Sequence, residues 1–170
     1  MLSDIYAPYL QSLMKLIETQ SKITLARWGI GYARTVLFPI YEKAFSGDVR
    51  PLNALDAADE WLEGKVKLPY VKNIVLKECH VAATQAEGSP AAQAAARSCG
   101  QAAATVYTPT HSLGIALYGA LALAYDKLGA DAAWDDLVAV AADECTKMEK
   151  SLWAVAVQDE PNPAKMNWNC

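Results

Sequence analysis

The stretch ARSCGQAAATVYTPTHSLGIALYGALALAYD, Ala96 to Asp126, carries no charged side chain between Arg97 and Asp126. Its residues repeat at helical rather than alternating spacing, and the break within it is Thr108-Pro109-Thr110. Proline removes an amide donor and clashes with the preceding turn, so this triplet marks a reversal between two helices. Residues four apart share one helix face. Ala92, Ala96, Gly100 and Ala104 therefore form a ridge of small residues, and Ala116, Ala120 and Ala124 form another. Such ridges let two backbones approach closely, which predicts contact between these helices along at least one ridge.

Outward from this centre, nearly every segment reads at helical period and no strand pattern appears. A first helix is expected over Leu2–Gln20, with Leu10, Leu13, Met14 and Ile17 facing in and Pro8 ending or kinking its first turn. A second spans Lys22–Phe45, bent near Pro39. Gly29 and Gly31 lie inside it, each unfavourable by ~1 kcal/mol relative to alanine, so another helix is expected to pass close by. SGDVRP breaks the chain. Pro51 opens a third helix that runs to Glu63 and stops at Gly64, with Leu52, Leu55, Ala58 and Leu62 buried. The fourth helix is Pro69–Ala86. Ser89 and Pro90 cap and open the fifth, which ends near Tyr107. The sixth runs from Thr110 to Leu128 before Gly129. The seventh begins at a capping Asp131 and runs to Val157, where EPNP forbids continuation. The prediction is all-α: a single compact array of about six or seven helices with short loops. One helical domain covers 1–160, and a tail, 161–170, follows that Trp168 can dock.

The 170 residues suffice for one full core, and 53% are hydrophobic. A net charge of −4 argues against nucleic acid, which needs a basic face. It suits a partner with a basic surface. Cys79, Cys99, Cys145 and Cys170 form no CxxC pair and read as reduced thiols. The N-terminus has an acid, Asp4, and no basic leader region. Ser112–Tyr125 is too short to cross a bilayer, which takes about 20 apolar residues. A soluble cytoplasmic protein without a membrane partner is expected.

Beside the first small ridge runs a polar line, Arg97, Gln101 and Thr105. After the reversal, His111 shares a face with Gly114 and Tyr118. The turn at Thr108–Thr110 can bring His111 to Thr105, giving a polar seam. The plain reading is structural, with buried polar groups satisfying one another. The alternatives are a binding seam of His80, Arg97, Gln101, Thr105, His111 and Tyr118, or a small-molecule or enzyme pocket lined by them. No nucleophile or acid stands at a catalytic spacing. An imidazole in the first turn of a helix is favoured neutral. Cys79 and His80 project about 100° apart on one helix, and no HxxxH, ExxH or CxxC spacing occurs, so neither metal nor cofactor is expected. The third helix carries an acidic edge, Asp56, Asp59, Glu60 and Glu63, a candidate partner face. Arg27, Arg34 and Arg50 read as structural ion-pair residues.

Three stretches resemble a family of small bacterial proteins, the immunity protein 5-like group. They are LARWGIGYARTVLFPIYEKAFSGDVRPLNALDAADEWLEG, KECHVAATQ and SPAAQAAARSCGQAAATVYTPTHSLGIALYGALAL. The resemblance spans Leu25 to Leu123. Trp28, Arg50, Pro51, Trp61, His80, Arg97, Gly100, Gln101, Thr105, His111, Gly114 and Tyr118 match the family pattern. Three positions depart from it. Leu52 or Asn53 replaces a second arginine, Thr84-Gln85 replaces an Ala-Arg pair, and Tyr107 replaces a histidine. The resemblance implies a cytoplasmic, non-enzymatic protein that neutralises a cognate toxin by binding it. A homo-oligomer is a further possibility open to size measurement.

Overall fold

Pro90 opens the helix around which the others are arranged. In the computed structural model, which describes residues 1–168, α7 is Pro90–Ala104, and ten of its fifteen residues are buried. Cys170, at the end of the tail, lies outside the described residues. Before α7 come α1 (Pro8–Ile17), α2 (Lys22–Tyr32), α3 (Phe38–Ala44), α4 (Arg50–Leu62), α5 (Leu68–Ile74) and α6 (His80–Gln85). After it come α8 (His111–Leu128) and α9 (Trp134–Trp153). π-helical turns at Ala33–Leu37 and Val75–Cys79 join α2 to α3 and α5 to α6 into continuous rods. The described residues thus form seven helical rods and no strand. None of their helices is long and apolar enough to cross a membrane.

The boundaries follow the proline and glycine punctuation, with corrections. Pro8 does not kink α1; it opens it, at a position where a missing N–H costs nothing. The segment before Pro8 is not helical. Gly64 and Gly129 adopt positive φ, 74° and 90°, where glycine is favoured after a helix. Asp131 caps nothing, because α9 starts at Trp134 after Ala133, and Ser89 makes no side-chain cap bond. The bend expected at Pro39 is a π-turn: the amide of Phe38 donates to the carbonyl of Ala33, five residues back. The second π-turn has the same signature, from the His80 amide to the Val75 carbonyl.

The predicted small ridges pack, but not as a matched pair. α7 and α8 form the most extensive contact in the fold. Its close approach on the α8 side is made by glycines. A Cβ on Gly119 would stand 2.9 Å from Ser98 Oγ, and one on Gly114 would collide with the Gln101 side chain. The Ser98 hydroxyl donates to the Ile115 carbonyl at 2.9 Å. The Ala96–Gly100 part of the α7 ridge instead receives the fourth rod. Cys79 Sγ bonds the Ala96 carbonyl at 3.2 Å, and a Cβ on Gly100 would lie 3.2 Å from the His80 ring. Gly29 also has a neighbour that requires it, since its Cβ would strike Ile115. Gly31 has none within 4 Å.

In α4 the inward stripe is Ala54, Leu55, Ala57 and Ala58, all at most 2% exposed, while Leu52 and Leu62 are only partly buried. The C-terminal tail is held down rather than loose. Buried Gln20 accepts the Val157 amide at 2.7 Å, and its carbonyl accepts the Ala164 amide at 2.9 Å. Trp168 Nε1 donates to Glu18 at 2.6 Å.

Candidate functional site

Helix α7 is so enclosed that its partly exposed positions past the first turn are Gln93, Arg97 and Gln101, spaced by four. They form the floor of a shallow groove. One wall is the fourth rod. Its π-turn ends at Cys79, and His80 rests against Gly100, where the missing side chain makes room for the ring. The other wall is α8, with His111 and Tyr118. Gln93 is tied off, donating to the Ala83 carbonyl at 3.2 Å. Gln101 Oε1 meets His111 Nδ1 at 2.6 Å, which assigns the ring proton to Nδ1. Gly114 gives Gln101 the space to do this. Near Arg97 the groove widens to a cavity of about 300 Å³ that includes Tyr118, Leu121 and Tyr125.

Of the predicted seam residues, Gln101 bonds His111, His80 lies against Gly100, and Arg97 and Tyr118 line the adjoining cavity. Thr105 is buried and bonds its own helix, donating to the Gln101 carbonyl at 3.0 Å. The line at spacing four showed which residues share a face, but not that the last would be closed over. Both imidazoles are held towards the neutral form. Burial does most of this, with Arg97 adding to the effect on His80 and His80 to that on His111. Sequence reasoning attributed the neutral His111 to its helix terminus; the causes here are burial and a neighbouring imidazole. Tyr107 stands edge-on to His111 at 6.0 Å, with Lys72 5.1 Å above its ring. Among the described residues, Arg97 has neither an ion-pair partner nor a hydrogen bond to its guanidinium.

The acidic edge of α4 is partly spent on packing. Arg34 bridges it, with Nη1 on Asp56 at 2.6 Å and Nη2 on Asp59 at 2.7 Å. Glu63 pairs with Lys65. Asp56 and Glu60 also line an open groove of about 310 Å³ with Asn53, Tyr70 and Glu78. Arg27 is exposed.

Arg50 belongs to a different construction. Its guanidinium grips Asp48, Nε at 2.9 Å and Nη2 at 2.5 Å, and Nη1 reaches Gln85 at 2.8 Å. The Tyr41 hydroxyl donates to the same Asp48 carboxylate at 2.6 Å. Arg50 above all, helped by Tyr41 and by the Arg50 amide, holds that carboxyl well below the usual range despite the opposing cost of burial. The Tyr41 hydroxyl is pushed up to about 12. This lock closes the loop before α4 onto α3 and the end of α6. Asp48 escaped the sequence reading, which names Arg50 as an ion-pair residue without naming its partner. The aspartate two residues before it was the available signal.

The thiols are packing groups. Burial pushes Cys79 and Cys145 up to about 12 and raises Cys99 as well, so none is a thiolate near neutrality. Among the described residues, no three histidine, cysteine or acidic side chains cluster as metal ligands.

An all-helical array with shallow polar grooves defines a class of scaffold rather than an activity. The family described as "Imm-5 like putative immunity protein" matches residues 15–151, from α1 into α9. The chain belongs to that family. No curated protein and no solved structure matches it significantly.

Proposed function

We propose that the protein is a non-enzymatic bacterial immunity protein that acts in the cytoplasm, neutralising a cognate toxin by binding it directly. The observation that carries this reading is the family match over residues 15–151, from the last residues of α1 into α9. A rigid scaffold is suited to occlusion, because little ordering is lost on binding. The acidic edge of α4 is the proposed contact. Asp56, Asp59, Glu60, Glu63 and neighbouring Glu78 set five carboxylates against Arg34 and Lys65. Tyr70, 48% exposed, adds an aromatic anchor beside them. Excess negative charge on such a rim speeds encounter with a basic partner.

The test is growth rescue and direct binding with the effector encoded next to this gene. Rescue with a measurable complex is the expected result. A toxin that still kills, with no complex formed, would refute the reading. Reversing Glu60 and Glu78 to lysine spares the Arg34 bridges and should slow association; an unchanged rate would remove this face from the contact.

A further inference from the structure

We propose that the groove over Arg97 is a binding site for a carboxylate. The proposal stands apart from the toxin reading and uses a different surface.

Arg34 and Arg50, the other partly buried arginines, each hold carboxylate oxygens through two nitrogens. Arg97 is comparably enclosed, lying mid-helix between two walls, yet no acidic side chain of the described residues reaches it. A guanidinium offers five N–H groups in a planar fork that matches a carboxylate. Its surroundings lack negative charge. The ionisable groups that feel Arg97 are His80 on the fourth rod and the Met1 amino group, which lines the same cavity.

Two glycines show that the groove is built rather than left over. Gly100 seats His80 against α7, and Gly114 seats Gln101 against α8. Gln101 then turns its oxygen to His111, which leaves its amide hydrogens without a protein acceptor among the described residues. Arg97 and Gln101 are one turn apart on the same strip of α7. The cavity of about 300 Å³, with Tyr118, Leu121 and Tyr125, accommodates a short carbon skeleton behind the charged group. Charge selects the ligand class. Among the described residues, Arg97 is the one side-chain cation of the cavity, and the Met1 amino group beside it is held below its usual value by burial and by Arg97, so a single carboxylate is balanced and a dianionic phosphate is less fully compensated.

The carboxylate has two possible sources, a free small acid or an aspartate or glutamate side chain of another protein. Titration of the ¹⁵N-labelled full chain separates them. Sodium butyrate supplies the first and a blocked, amidated Gly-Glu-Gly peptide the second, each against sodium chloride at equal ionic strength. Saturable shifts are expected at the Arg97 side-chain Nε–H and at the Gly100 and Gln101 amides. R97Q should weaken binding at least about tenfold, the usual loss for a charged hydrogen bond. R97K, with charge but no fork, should fall between, and R27Q should change nothing. Saturation by butyrate alone assigns the groove to free acids, and saturation by the peptide assigns it to a protein side chain. No saturable shift with either ligand in the wild type, or equal binding by R97Q, overturns the proposal.

Discussion

Arg50 and Arg97 both match the family pattern, and the fold treats them in opposite ways. Arg50 is surrounded by acceptors, with Asp48 and Gln85 taking its three nitrogens and Tyr41 sharing the carboxylate. Arg97 has His80, the Met1 amino group, Tyr118 and Tyr125 around it, and no carboxylate bonds it among the described residues. An arginine whose hydrogen bonds close within the chain serves the fold. One left open over a shaped groove is free to serve something outside it. The two regions should therefore separate under experiment.

The largest separation is in stability. R50M strands a partly buried Asp48 and should cost about 2–3 kcal/mol in urea unfolding. R97M should stay within ~0.5 kcal/mol, as for a surface change that breaks no bond. Equal losses would erase the distinction. Next comes acid sensitivity, which should fall in two windows. Asp48 is depressed in the folded state, so its contribution is complete above the ordinary aspartate value of 3.8 and is lost as pH falls below it. His80 and His111 are also depressed, which for a histidine favours the neutral folded form. Their contribution is complete above 6.5 and declines as pH falls below that. Stability measured against pH should lose the lower slope in D48N and part of the upper slope in H80Q. A single slope abolished by D48N alone would place no strain at the Arg97 groove.

A smaller effect tests how the groove is built. G114A drives a methyl into Gln101 and should break its bond to His111, at a net loss of about 1 kcal/mol once helix propensity offsets part of the overpacking. The His111 ring resonances should shift; if they stay in place, Gly114 is not the seat of Gln101. The smallest effect lies outside both regions. G31A meets nothing within 4 Å and should stabilise by up to about 1 kcal/mol, a baseline for helical glycines that carry no packing duty.

The fold was legible because proline and glycine punctuate every rod and because Thr108–Thr110 can only be a reversal. The polar strip of α7 was legible for the same geometric reason, since period four places Arg97 beside Gln101. What stayed hidden depends on three-dimensional partners. The Ala96–Gly100 ridge looked suited to α8, yet the fourth rod fills it, because a ridge of small residues states that something comes close without naming it. Thr105 shares the strip but lies under the turn into α8. The acidic edge of α4 looked free because Arg34, more than twenty residues earlier, gives no local sign that it will bridge Asp56 and Asp59. The π-turn at Val75–Cys79 has no proline to announce it.

That second π-turn fixes a phase. Each helical residue advances the direction of its side chain by about 100°, so the one residue absorbed there sets the rotational index of everything downstream on the rod. His80, which borders the open groove, and Gln85, which completes the Arg50 lock, both ride on the short helix beyond it. Winding those five residues into regular α-helical turns, with none removed, would rotate both side chains by about 100° away from their arginines in one step, like a gear displaced by one tooth. The closed region and the open one are thus registered by the same turn, and the chain cannot retune either through that rod without moving the other.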